Sequence, residues 1–265
     1  MRYSANLGFL WADLALPKAV RAAAKAGFDA VEIHAPDVPA AELRTVLERT
    51  GLPLLSLNTT RGPEGAFGLA ALPGRNMAAR EAIDAAVDYA AEVGAQNVHV
   101  LAGLAHGTAG HRHFIDNLSY ASARAAPHGI GILIEPINAH DVPGYFLTHT
   151  EQALEIIDEV GAKNLKMLFD CYHVQRTEGD LCTRLAACLP KIGHIQFAGV
   201  PDRGRPDRGE LNYAYVFACL RELGWSQPLG AEYRPEGKVE DGLEWMTALA
   251  PEDVATEDVA QGGAD

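Results

Sequence analysis

Hydrophobic and polar positions along the chain fall into a repeating two-part unit: an alanine-rich amphipathic segment, a glycine, then a short β-branched run. KAVRAAAKAG leads into FDAVEIH, AELRTVLERTG into LPLLSLN, AIDAAVDYAAEVG into AQNVHVLAG, ARAAPHG into IGILIEPIN, ALEIIDEVG into AKNLKMLFD and VFACLRELG into WSQPLGAEY. The first half of each unit predicts an amphipathic helix. The second is apolar to its end, as a parallel strand buried on both faces must be. Gly27, Gly51, Gly94, Gly129, Gly161 and Gly224 stand where a helix end needs a left-handed residue.

With Tyr3–Gly8 and Ile192–Ala198 added, eight strands are predicted, starting near residues 3, 28, 54, 97, 130, 165, 192 and 229. Each interval has room for one helix, which a parallel crossover requires. Eight βα units in about 250 residues predict an α/β protein, a single-domain (β/α)8 TIM barrel over residues 1–250. A doubly wound open sheet is the competing arrangement, but no GxGxxG follows the first strand and eight units favour closure. The long loops Thr59–Arg75 and Gly199–Asn212 follow strands three and seven, on the face where barrels keep their sites. The length and glycines of Thr59–Arg75 suit a lid. Residues 251–265 hold acids, Ala and Gly without a basic residue, and are expected to form a disordered tail.

Composition narrows the partners. The 265 residues are 48% hydrophobic and 22% charged, enough to bury a large core. With 22 basic against 35 acidic side chains the net charge is −13, which argues against nucleic acid or an anionic membrane as partner. No stretch has the length of a membrane helix, and Asn6 and Asp13 interrupt any signal-like run, so the protein is expected in the cytoplasm. The four cysteines form no CxxC pair and are expected as reduced thiols; Cys171 has no neighbour that would activate it as a nucleophile. A homo-oligomer is compatible with all of this.

Polar residues that end apolar barrel strands point into the mouth of the barrel. The strand ends offer Asn6, Glu32 or His34, Asn58, His99, Glu135, Asp170, Gln196 and Glu232. Glu135, Asp170, Gln196 and Glu232 come from the adjacent strands five to eight, and three carboxylates with one amide oxygen would repel each other without a cation between them. An all-oxygen set suits Mg²⁺ or Mn²⁺ better than Zn²⁺. The plainer reading, that one of these acids caps a helix or pairs with an arginine, stands beside it. Glu135 and Glu232, on opposite sides of a small ligand, form the pair that moves a proton between adjacent carbons through an enediolate. His173, three residues past Asp170, reaches the ligand or caps the sixth helix. Arg203 is placed to clamp a substrate carboxylate, with Arg205 and Arg208 as rivals. His111 and His113 resemble a metal pair but fall at a helix start with no third ligand. The glycines at 103, 107 and 110 lack the spacing of a phosphate loop.

APHGIGILIEPINAHDVPGYFL, LKMLFDCYHVQRTEGDL, GHIQFAGVPDRGRPDRGELNY and LGAEYRPEG together resemble the hydroxypyruvate isomerase family, a branch of the xylose-isomerase-like TIM barrels related to ketose 3-epimerases and endonuclease IV. The resemblance runs nearly end to end and includes ALPGR at Arg75. It implies Glu135, Asp170, Gln196 and Glu232 as metal ligands, Glu135 and Glu232 as the proton-transfer pair, and His173 and Arg203 on the substrate. It implies a small 2-oxo acid or sugar substrate, with hydroxypyruvate and tartronate semialdehyde interconverted in carbohydrate and glyoxylate metabolism. Gln196, where related epimerases carry His, favours that branch. A 2-oxo-tetronate isomerase, a ketose 3-epimerase, a metal-dependent phosphodiesterase and a non-catalytic sugar-acid binder are the alternatives. The chain departs from the family pattern at Phe169, Cys171, Arg205 and Arg234, none of them an implied ligand.

Overall fold

The computed structural model describes residues 1–249; the expected acidic tail lies outside the described residues. Eight parallel strands, β1 (Tyr3–Asn6), β2 (Ala30–Glu32), β3 (Leu54–Asn58), β4 (Asn97–His99), β5 (Gly131–Ile134), β6 (Leu165–Asp170), β7 (Ile192–Phe197) and β8 (Leu229–Ala231), pair in chain order and close with β8 against β1. The barrel expectation holds. The strand starts agree with the sequence pattern within two residues. The largest offset is at β2, where Phe28 is buried in the core ahead of the paired residues.

Helices α1 (Leu16–Lys25), α2 (Ala40–Thr50), α3 (Asn76–Val93), α4 (Gly107–Ala125) and α5 (Thr150–Val160) each fill one crossover. The β6–β7 crossover differs from the one-helix expectation and holds two, α6 (Cys171–Thr177) and α7 (Leu181–Cys188). Gly179 (φ 67°) and Asp180 (φ 52°) both take left-handed conformations between them, which breaks the helix. α8 (Tyr213–Glu222) precedes β8, and the short α9 (Trp245–Ala248) follows it. Trp245 is fully buried against Tyr3 (ring centroids 5.0 Å apart) and Phe197 (5.4 Å), and its Nε1–H donates to the Tyr233 hydroxyl at 3.1 Å. This aromatic cluster ties α9 to β1 and β7 and holds the wall beside the ends of β7 and β8.

Gly94 ends α3 with φ 81°, and its N–H bonds to the Ala90 carbonyl. A Cβ added there would meet nothing within 4 Å, so the cost of a side chain is purely conformational. Gly94→Ala is expected to destabilise the fold by about 1–2 kcal/mol, read as a lower urea midpoint with an unchanged slope; an unaltered midpoint would contradict this assignment.

Candidate active site

The strand ends converge on a cleft lined by Phe9, His34, Asn58, Arg61, Phe67, His99, Leu101, Glu135, Ile137, Val142, His173, Arg203 and Glu232. It lies at the C-terminal rim, so the sequence-predicted Glu135, His173, Arg203 and Glu232 are brought together. Asp170 and Gln196 sit beside each other in the β6–β7 register, buried in the wall that carries them.

Asp170 does two things at once. It is the N-cap of α6, with Oδ1 accepting the Tyr172 N–H at 2.9 Å. That bond leaves Oδ2 turned toward two residues that line the cleft, 3.3 Å from Arg203 Nη2 and 3.7 Å from His173 Nε2. Capping and pairing with an arginine, the plainer readings of an acid at a strand end, both occur here. Burial pushes the Asp170 carboxyl up to about 7, against the pull of Arg203.

Glu135 follows β5 directly. One carboxyl oxygen lies 3.7 Å from His99 Nδ1 and the other 3.7 Å from His173 Nε2. Burial, reinforced by Glu232 and Asp170, raises its carboxyl well above the usual range. Glu232, just past β8, is set the opposite way. Burial pushes it up, but the Arg203 guanidinium at 2.7 Å and His34 at 3.3 Å outweigh that and hold it at about 2. Asn6 fixes its orientation: Oδ1 accepts the Gly8 N–H at 3.0 Å, which leaves Nδ2 to donate to Glu232 Oε1 at 3.0 Å.

Arg203 takes a left-handed conformation (φ 58°) in the loop after β7, whose Gly199 and Gly204 pair and fold it back over the rim. Its guanidinium lies over Phe9 (4.8 Å to the ring centroid) and Tyr172 (5.0 Å). Nη2 is shared by Glu232 and Asp170, Nε donates to the Glu232 carbonyl at 3.4 Å, and Nη1 faces Asp141 at the looser distance of 3.8 Å. The rivals lie elsewhere: Arg205 pairs with Asp207 and Glu244, and Arg208 with Glu236.

His173 is locked in one tautomer. Its Nδ1 faces two donors, the Asn138 backbone N–H at 3.3 Å and Nδ2 at 2.6 Å. The Asn138 amide cannot turn round, because Oδ1 accepts the Asp141 N–H at 2.9 Å. Burial drives the imidazole pKa well below its ordinary value, so the neutral ring carries its proton on Nε2, toward Glu135 and Asp170. His99 is likewise held neutral by burial, at about 4.

Side-chain atoms of Glu135, Asp170 and His173 all lie within 4.8 Å of one another; with both His173 nitrogens engaged, the lone pairs open to a metal ion in that group are those of the two carboxylates. Two further observations fit an oxygen-loving ion: Glu135 Oε1 and Gln196 Oε1 are buried without hydrogen-bond partners. Both atoms belong to the set expected from the sequence.

His111 and His113 lie on α4, bonded to Glu159 and Asn76 at 2.7 Å each, and do not line the cleft. Phe9, Tyr172, Asp141 and Asn138 were not singled out by sequence reasoning. Asn138, Asp141 and Tyr172 lie within the stretches that carry the family resemblance, but nothing in those stretches marked them apart from their neighbours. His34 and His99 were visible as strand-end candidates without an assigned part.

Known proteins share this architecture. A family model described as "Xylose isomerase-like TIM barrel" matches residues 20–249. A "2-oxo-tetronate isomerase" of Cupriavidus necator is 44% identical over 252 residues, 92% of this chain and 97% of its own length. A "Hydroxypyruvate isomerase" of Escherichia coli is 38% identical over 255 residues, covering 93% of this chain and 98% of that one. A solved structure titled "AP endonuclease, family 2" from Brucella melitensis superposes with a TM-score of 0.90 at 36% identity, covering 93% of this chain and 98% of that one.

Proposed function

The chain belongs to the xylose isomerase-like TIM barrel family, and on that premise we propose that it is a metal-dependent isomerase of a short 2-oxo acid, interconverting hydroxypyruvate and tartronate semialdehyde through an enediolate. The observation that carries the reading is the pair Glu135 and Glu232, two buried carboxylates on one cleft whose surroundings push their proton affinities in opposite directions.

The ion would be held by Glu135, Asp170, Gln196 and Glu232, with Mg²⁺ or Mn²⁺ suited to that oxygen set. When bound it supplies an electrophile that polarises the substrate carbonyl and acidifies the neighbouring C–H. Glu232, kept ionised by Arg203, takes the proton from the hydroxymethyl carbon. Glu135, entering the step protonated, gives its proton to what was the carbonyl carbon, while the hydroxyl proton passes through solvent to the former carbonyl oxygen and both glutamates exchange protons with water before the next turnover. His173 acts on the substrate, not the ion, since Nε2 carries a proton and has no lone pair to offer; it donates to a substrate oxygen. Arg203 holds Glu232 with one nitrogen and has Nη1 left for the substrate carboxylate.

The identity of 44% to the Cupriavidus necator protein, against 38% to the Escherichia coli one, favours 2-oxo-tetronate as the second reading. A nucleic-acid substrate has less behind it. The net charge is −13, which disfavours a phosphate backbone as partner. We place the protein in the cytoplasm; no helix among the described residues is long and apolar enough to cross a membrane. The test is kcat/KM with Mg²⁺ or Mn²⁺ on hydroxypyruvate, 2-oxo-tetronate and neutral ketoses. The 2-oxo acids are expected to lead by about a hundredfold, the weight of about 3 kcal/mol of carboxylate recognition. A neutral ketose turned over fastest would contradict the proposal.

A further inference from the structure

Glu32 has no part in the proton transfers above, yet it ends β2 wholly buried inside the barrel. A carboxylate in that position costs several kcal/mol unless its oxygens are satisfied. Both are engaged. Oε1 accepts the Ser4 hydroxyl and lies 3.0 Å from His194 Nε2, while Oε2 accepts the Gln196 side-chain amide, Nε2, at 2.6 Å. The neighbouring strand leaves room for this pair. Gly230 on β8 sits opposite Gln196, and a Cβ there would stand 2.5 Å from Glu32 Oε1 and 2.6 Å from Gln196 Cγ.

The amide of a glutamine has a donor end and an acceptor end, and both Glu32 oxygens stand as acceptors, toward Ser4 and Gln196. Contact with Glu32 therefore turns the NH₂ end of Gln196 inward and its carbonyl Oε1 away. That oxygen is one of the buried polar atoms without a hydrogen-bond partner. It belongs to the strand residue beside Asp170, at the wall that also carries the Glu135, Asp170 and His173 cluster. We propose that Glu32 is a positioning residue that locks the Gln196 amide with its carbonyl oxygen presented to the divalent ion, an inference that rests on the metal reading given above. A glutamine at 32 would destroy the selection, because it can donate as readily as accept.

The test is a titration with Mn²⁺ alone, following free ion by its electron paramagnetic resonance signal, on the full chain. Glu32→Gln is expected to raise the Mn²⁺ Kd about 10- to 100-fold, the range seen when groups that orient a metal ligand are removed. In a Gln196→Ala background the same change is expected to add nothing, since the amide it orients is gone. A purely structural role for Glu32 would weaken both backgrounds alike, and that result, or an unchanged Kd in Glu32→Gln, overturns the inference. Should Glu32→Gln fail to fold, Glu32→Asp carries the same expectations. It keeps an acid but withdraws it by one methylene from Gln196. Failure of the unaltered protein to bind Mn²⁺ would instead contradict the metal reading itself.

Discussion

Glu232→Gln is expected to lower kcat by about a thousandfold, at saturating Mn²⁺, in a protein that remains folded. General acid–base catalysis by one positioned group contributes about 10²–10⁴-fold, and Glu232 is the carboxyl that Arg203 and His34 keep ionised at about 2 despite its burial. The amide has the same shape but cannot take a proton from carbon. Folding is expected to survive because Arg203 retains Asp170 at 3.3 Å, the carbonyl of residue 232 at 3.4 Å and Asp141 at 3.8 Å. Asn6 Nδ2 would still find the amide oxygen in the place of Oε1. Saturating metal separates loss of the base from loss of a ligand: a defect confined to ion affinity would disappear there. Activity within tenfold of the unaltered protein would contradict the role of Glu232.

Metal-free protein is expected to lose stability as pH rises from 7 to 8.5. Asp170, raised from 3.8 to about 7, and Glu135, raised well above 4.5, bind protons more tightly folded than unfolded. Their stabilising contribution is therefore complete below the unfolded values and disappears as pH climbs through the folded ones. Glu232, lowered to about 2, has the opposite sign, but its contribution is lost only as pH falls from 4.5 toward 2 and is constant across this window. His99 and His173, lowered by burial, also gain stability as pH rises, but chiefly below 7, where the unfolded imidazoles give up their protons. Each raised carboxyl tilts stability by up to about 1.4 kcal/mol per pH unit while it is titrating in excess of the unfolded chain. For a chain of this size that corresponds to a melting temperature lower by about 3 °C or more at pH 8.5 than at pH 7, in the presence of a chelator. Added Mg²⁺ or Mn²⁺ is expected to reverse the loss, and to do so most at high pH, since the ion competes with protons for the same oxygens. A melting temperature that rises over this interval without metal would contradict the burial argument.

The barrel was legible because its evidence is periodic. Helix, glycine and apolar run recur often enough to count, and parallel pairing demands the helices between. The exception, α6 and α7 in place of one helix, turned on two left-handed residues at 179 and 180; a glycine announces such a break but Asp180 does not. Glu135, Asp170 and Glu232 could be found as candidates because strand ends in a barrel share one rim. The tautomer of His173 could not. It depends on Asn138, 35 residues away, and on Asp141 holding that amide in turn. Arg203 was recognisable as a cation in a rim loop, but its grip on Glu232 and Asp170, between Phe9 and Tyr172, arises from four separate segments of chain. Glu32 stood at a strand end with no role assigned. Its contact with Gln196 spans 164 positions in sequence and becomes visible only once β1, β2, β7 and β8 close the barrel.

Incubation of the metal-stripped protein with hydroxypyruvate in heavy water, with and without Mg²⁺ or Mn²⁺, tests metal-assisted enolisation between Glu135 and Glu232 most directly. Solvent deuterium entering carbon-bound positions of substrate or product, only when metal is present, is the predicted result. Folded, metal-loaded protein that gives neither exchange nor tartronate semialdehyde would contradict it.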